Sequence, residues 1–140
     1  MELRVGGKVR LLFRHKDLAP NETPPKAYEQ HHDPGTAMDG IVTRCEPPRV
    51  LAFTFGSEGE SEATFELTPE GKNVLLVLTH RAREGDVPYM AEFGSGWHTH
   101  FAILLSVLAG TPAPAFWSLH TRLKADYEKL RLAASETRNP

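Results

Sequence analysis

Val50-Leu51-Ala52-Phe53-Thr54-Phe55, followed after Gly56 to Glu60 by Ser61-Glu62-Ala63-Thr64-Phe65-Glu66-Leu67-Thr68, decides the fold class of this chain. The first segment is rich in β-branched and aromatic residues, which suit a pleated, half-buried surface. In the second, Ala63, Phe65 and Leu67 alternate with Thr64 and Glu66. That is the period of two of a strand with one covered face. The polar stretch between them reads as a hairpin loop.

Outward from this pair the pattern repeats. On the C-terminal side, Thr68-Pro69-Glu70-Gly71 is a turn and Val74 to Arg81 a further strand. On the N-terminal side, Glu46-Pro47-Pro48-Arg49 is a tight connection, because proline gives no donor to a ladder. Ala37 to Cys45 precedes it as a strand with Met38, Gly40 and Val42 on one face. Glu2 to His15 is the first strand, with Val9, Leu11 and Phe13 alternating and a bulge or bend at Gly6-Gly7. Between these two, Pro20, Pro24, Pro25 and Pro34 break the segment from Lys16 to Thr36, leaving a loop with an edge strand around Lys26 to Gln30. Strands joined in sequence by short polar turns predict an antiparallel meander of five to six strands.

The period then changes. Trp97, Phe101, Leu104, Leu105 and Leu108 fall on one helical face between Gly94 and Ala109, with Ser95 as the expected N-cap and Gly110 as the stop. Thr111-Pro112-Ala113-Pro114 interrupts the chain. A last helix is expected over Ala115 to Ala133, with a stripe of Phe116, Leu119, Leu123, Tyr127 and Leu130. Phe116, Trp117, His120 and Tyr127 would form a lid over the sheet or a helical dimer contact. The expected fold is α+β: a curved antiparallel sheet packed around a C-terminal helix, with an extra terminal helix, in a single domain over residues 1–140.

The bulk properties narrow the function classes. The chain has 140 residues, 40% apolar and 24% charged, an ordinary globular composition. A net charge of −2 provides no basic footprint for nucleic acid and none for an anionic membrane. The single cysteine, Cys45, excludes an intramolecular disulfide. No apolar run approaches a membrane span and no leader pattern opens the chain, so a cytoplasmic location is expected.

Several segments together carry a resemblance. These are Leu3-Arg4-Val5-Gly6-Gly7, Glu46-Pro47-Pro48-Arg49-Val50-Leu51, Phe65-Glu66-Leu67-Thr68-Pro69-Glu70-Gly71, Val74-Leu75-Leu76-Val77-Leu78-Thr79-His80, and Gly96-Trp97 with the helix to Leu108-Ala109-Gly110. In order and spacing they resemble the bacterial homologues of the activator of Hsp90 ATPase, a family of the START-like superfamily, also called SRPBCC, Bet v 1-like or polyketide cyclase-like. The resemblance implies a helix-grip fold. Family members begin with a strand and two short helices ahead of the Leu-Arg-Val-Gly-Gly segment, and this sequence begins at that segment. An uncovered sheet edge is therefore expected, with homodimerisation through it.

The residues that could carry chemistry are scattered. His31-His32-Asp33 has no second ligand pair at metal spacing and reads as a solvated loop, so no metal is expected. His98 and His100, two apart on a helix, point about 200° apart and do not share a metal. Cys45 has no neighbour in sequence that would lower its pKa. Gly94-Ser95-Gly96 lacks the rest of a phosphate loop. The carboxylates Glu58, Glu60, Glu62, Glu84, Asp86 and Glu92 form no acid/base pair by spacing. No catalytic residue and no cofactor is called for.

The aromatic residues are mostly core. A sheet curled around one helix also leaves an apolar cavity, however, the usual place for a small ligand. The expected lining is Phe13, Phe53, Phe65, His80, Trp97, His98, Phe101 and Leu104. The chain is thus expected to be a binding module for an apolar or amphipathic small molecule rather than an enzyme. A cyclase- or dehydratase-like enzyme, with His98, His80 or Tyr89 as acid or base, is the first alternative. An Hsp90-type chaperone co-regulator, implied by the family, is the second.

Overall fold

The computed structural model describes residues 1–55, 61–82 and 89–136. The hairpin loop expected at Gly56 to Glu60, with Glu58 and Glu60, lies outside them, as do Glu84 and Asp86. Two compact units are present: the described residues of Met1–Phe13 with Thr36–Gly85, and those of Arg14–Gly35 with Asp86–Pro140.

The first unit is the sheet. Five strands, β1 (Lys8–Phe13), β2 (Thr36–Glu46), β3 (Val50–Phe55), β4 (Ser61–Glu70) and β5 (Asn73–Ala82), pair antiparallel in sequence order. The expected meander is therefore present with five strands. The expected turn at Thr68 to Gly71 begins later, because β4 continues through Pro69 opposite Val74 and only then reverses. At the other end of the sheet, β1 is shorter than the expected strand. Residues 2–7 instead fold back: Glu2 N–H donates to the Lys8 carbonyl and Gly7 N–H to the Arg4 carbonyl.

Register follows the alternation in the sequence. Val42 faces Phe53, Phe53 faces Ala63, and Ala63 faces His80 across three ladders. Leu51, Phe65 and Leu78 form the next row of the same face, and Val9, Leu11 and Phe13 extend it onto β1. Val9, Val42, Phe53 and Ala63 on this face are buried. Between Val42 and Arg44 the register shifts by a bulge, which bends β2 and raises the local twist.

Gly40 sits beside that bend for a steric reason. A Cβ there would lie 2.2 Å from the Thr54 carbonyl oxygen, a backbone atom with no rotamer to escape into. Ile41 N–H meanwhile donates to Thr54 Oγ1 at 2.9 Å. Gly40→Ala is expected to lose roughly 1–3 kcal/mol of stability through forced strand separation. Equilibrium urea unfolding measures this, and a change below about 0.5 kcal/mol would show that β2 and β3 are not this close.

The second unit is helical. Helix α2 (Met90–Ala109) is followed by α3 (Phe116–Glu136), and the segment before β2 holds a single 3₁₀ turn at His15–Asp17, another at Lys26–Tyr28 and the short helix α1 (Glu29–His32). Gly110 closes α2 as expected, with φ +64 and its N–H on the Val107 carbonyl. The edge strand expected around Lys26 to Gln30 is absent. Pro24 and Pro25 set up a turn, and Tyr28 is drawn inward to stack on Trp117, with ring centroids 5.5 Å apart.

The buried face of α2 differs from the expected one. Ala91, Ser95, Thr99 and Ile103, spaced by four, are buried, whereas Leu105 and Leu108 are 66% and 75% exposed. Small residues let α2 and α3 approach: the Tyr127 ring lies where a Cβ on Gly94 would be, 2.6 Å from it. Ser95 is consequently not a cap. It lies inside the helix, its Oγ–H on the Glu92 carbonyl, and Thr99 Oγ–H satisfies itself on the Ser95 carbonyl. Phe116, Trp117 and His120, expected to serve as a lid or a helical dimer contact, are among the buried residues. They are buried inside their own unit, with Ala19 and Ile103.

Candidate functional site

Four of the expected lining residues, Phe13, Phe53, Phe65 and His80, share one face of the sheet. Phe53 and Phe65 stack with centroids 5.8 Å apart, and Phe13 meets Phe55 edge-on at 6.1 Å. His80 packs against the Phe55 ring at 5.0 Å. Phe13, Phe55, Phe65 and His80 are each only half-buried. The face is thus a row of aromatic side chains with one polar corner.

That corner has a definite polarity. Ser61 Oγ donates its hydrogen to the Phe55 carbonyl at 3.2 Å and lies 2.8 Å from His80 Nε2. A hydroxyl with its one hydrogen committed accepts the second bond, so His80 donates from Nε2. Burial lowers the His80 pKa, which keeps the ring neutral near pH 7 with Nδ1 as its acceptor nitrogen. In this arrangement the Ser61 hydrogen lies on the Phe55 carbonyl rather than on His80. The pair offers a fixed dipole among aromatic rings.

Trp97, His98, Phe101 and Leu104 all lie on α2 in the helical unit. Trp97 and Phe101 stack at 6.3 Å on one stripe, which Leu104 continues. His98 lies off that stripe, exposed and edge-on to Tyr127 at 6.2 Å. Tyr89, the third acid/base candidate, is 59% exposed at the start of the helix.

Sequence reasoning missed a polar cluster in the helical unit. Tyr28 O–H donates to Glu92 Oε2 at 2.5 Å and accepts from Lys124 Nζ at 2.9 Å, and Lys124 also pairs with Glu92. Burial and the bond to Glu92 raise the Tyr28 pKa. Burial opposes the Glu92 charge, but Lys124 and Tyr28 outweigh it and hold its carboxyl below the usual range. Burial likewise works against the Lys124 ammonium, and the bonds to Glu92 and Tyr28 push its pKa up nonetheless. None of the three is poised to change charge near neutrality. The triad is a clasp joining residues 26–28 to both long helices. Nothing in the local sequence signals it, since the three residues come from three separate segments.

Glu22 is a second missed contact. Its carboxylate accepts from the backbone N–H groups of Phe116, Trp117 and Ser118 at 2.6, 3.0 and 3.4 Å, capping α3 at its positive end. His31 and His32 are half-buried rather than solvated, and among the described residues no three His, Cys, Asp or Glu side chains are placed to hold a metal ion.

A sequence profile for the activator of Hsp90 ATPase homolog 1-like proteins matches residues 1–109. This chain belongs to that family. A Bordetella parapertussis member with a solution NMR structure is 40% identical, with a TM-score of 0.73 over 91% of this chain and 67% of its own. The crystal structure of CalU16 from Micromonospora echinospora is 29% identical, with a TM-score of 0.56 over 67% of this chain and 58% of its own. Its solution NMR structure gives 25% identity and the same TM-score over 71% and 61%. The chain thus spans about three fifths of CalU16. Among curated proteins none matches. The family assignment and these likenesses make the fold START-like, as the five antiparallel strands followed by long helices also indicate. Among the described residues no helix is long and apolar enough to cross a membrane.

Proposed function

We propose that this family member is a small-molecule binding domain whose ligand, apolar or amphipathic, lies on the phenylalanine-lined face of the sheet. The observation that carries this reading is the joint placement of Phe13, Phe53, Phe55 and Phe65 with the neutral Ser61–His80 pair on one face. Half-buried aromatic rings supply area and shape, and one fixed dipole orients a polar end. Family membership and the likeness to CalU16 support a ligand-binding role of this kind.

Native mass spectrometry of protein purified without added ligand is expected to show a co-purified small molecule. Titration with anilinonaphthalene sulfonate, an amphipathic anion with an apolar ring system, is expected to saturate. Phe65→Ala is expected to weaken that binding about tenfold, from lost aromatic area, and His80→Gln is expected to change which polar end groups are tolerated. An empty native protein, together with probe binding that neither substitution alters, would refute the site. Turnover of a bound compound lost in His80→Gln with binding retained would favour a cyclase- or dehydratase-like enzyme. Recovery of an Hsp90-type chaperone would favour the co-regulator reading.

A further inference from the structure

The two edges of the sheet are finished differently. At β1 the outward backbone is covered: Glu2 N–H donates to the Lys8 carbonyl at 2.9 Å, and the Glu2 carboxylate accepts from Lys8 N–H at 3.4 Å. Lys8 and Arg10, both exposed, put charge along the same strand. The other edge is β5, and among the described residues no strand lies beyond it. Its ladder with β4 runs from Asn73 to Ala82 in one register without a bulge. From Asn73 to Thr79 it carries neither charge nor proline. Val74, Leu75 and Val77 are 61%, 45% and 42% exposed. Charge, proline and bulges, the usual guards of an edge, are thus missing from this stretch.

The ladders fix which backbone groups of β5 point outward. Leu67 N–H donates to the Arg49 carbonyl at 2.8 Å, and these residues lie opposite each other one step beyond the Val50–Glu66 pair. Hydrogen-bonded pairs alternate along an antiparallel ladder. The odd residues of β4 therefore bond to β3, and the even ones to β5, where Thr68, Glu66 and Thr64 meet Leu75, Val77 and Thr79. The N–H and C=O groups of Val74, Leu76 and Leu78 point off the sheet. An added antiparallel strand satisfies them. A second copy of β5 is such a strand, because the apolar run Val74-Leu75-Leu76-Val77-Leu78 is centred on Leu76, one of the outward residues. A two-fold axis at Leu76 sets Leu76 against itself, Val74 against Leu78 and Leu75 against Val77, so the whole run meets apolar partners on both faces. Moving the axis to Val77 would set Val74 against His80 and Leu75 against Thr79.

We propose that two copies of this chain pair antiparallel along β5 about a two-fold axis at Leu76, joining two five-stranded sheets into one. The axis stands perpendicular to the sheet, so the phenylalanine-lined faces of both copies lie on the same side. Assembly closes after two copies because the backbone of the β1 edge is already covered. A ladder this short is at the small end of specific interfaces, below about 1,200 Å² in total, so association falls in the micromolar range. The pairing does not depend on a ligand being bound to the sheet.

Sedimentation equilibrium of the full chain, from about 1 µM to about 500 µM, is expected to show the mass rising from 15.6 kDa towards twice that value. Residue-resolved amide exchange over the same range is expected to slow about tenfold at Val74, Leu76 and Leu78. Little change is expected at Leu75 and Val77, which β4 already protects. That alternation marks strand pairing and distinguishes it from contact through any other surface. Val74→Lys and Leu75→Lys, both at exposed positions, are each expected to weaken dimerisation about tenfold or more, since each substitution enters the interface twice. Leu12→Lys on β1, where the side chain is 65% exposed, is expected to leave dimerisation unchanged. Far-UV circular dichroism like that of the native chain confirms that each variant is folded. A monomer throughout the range, exchange that does not alternate along β5, a dimer that neither folded β5 variant weakens, or assembly that continues past two copies would each overturn the proposal.

Discussion

Phe116→Ala is expected to lower the stability of the helical unit by about 3–5 kcal/mol and its Tm by about 10 °C or more. Phe116 is 2% exposed and belongs to the core cluster with Ala19, Ile103 and Trp117. Its ring meets those of His15, Trp117 and His100 at 4.6, 4.9 and 5.4 Å. Truncation removes the apolar transfer energy and leaves a cavity that rigid aromatic neighbours fill poorly. It also lets water reach imidazoles that the ring keeps dry. Phe116→Leu retains most of the apolar volume and is expected to lose less. Both tryptophans lie in this unit, so denaturant unfolding followed by their fluorescence reports it directly. A loss below about 1 kcal/mol for the alanine variant would show that the helices pack through another face.

Stability is expected to fall by roughly 3 kcal/mol from His15 alone as the pH drops from about 6.5 to about 4. The sign follows from the direction of the shift. Burial, followed by the neighbouring His100, lowers the His15 pKa from 6.5 to about 4 in the folded chain. Between those values the unfolded chain binds a proton that the folded chain refuses. The contribution is therefore fully present above about pH 6.5 and is lost as the pH falls towards 4. His100, His120 and His80, each lowered first by burial, act in the same direction. Glu92 also favours folding through its lowered pKa, but its loss comes below the ordinary glutamate value, at the acid end of this window. Urea unfolding at a series of pH values is expected to show the slope, and His15→Gln, which keeps a donor for the His31 carbonyl, is expected to flatten part of it. Stability level from pH 7 to pH 4.5 would contradict the burial of these rings.

The strands were legible because alternation is local. Val50 to Phe55 was read to the residue, and the strands flanking it to within a few. The common face of Phe13, Phe53, Phe65 and His80 follows from that alternation once the strands pair in order. The helices were legible in place but not in orientation. Trp97, Phe101 and Leu104 form the obvious stripe, while the buried residues of α2 include Ala91, Ser95 and Thr99, which hydropathy does not distinguish from a solvated face. The acidic and basic residues of the helical unit gave no signal at all.

By itself the sequence determined the class of the fold, the order of its strands, the glycine stop of α2 and the family. Each rests on backbone periodicity or turn chemistry, fixed by residues a few positions apart. Only the tertiary structure decided that Glu22 caps a helix 94 residues away, that Tyr28 closes a clasp with Glu92 and Lys124, and that four histidines surround Phe116 and Trp117. Those contacts join segments whose separation along the chain carries no periodic trace. Their protonation states follow from which hydrogen each neighbour can offer, and only the folded chain chooses the neighbours.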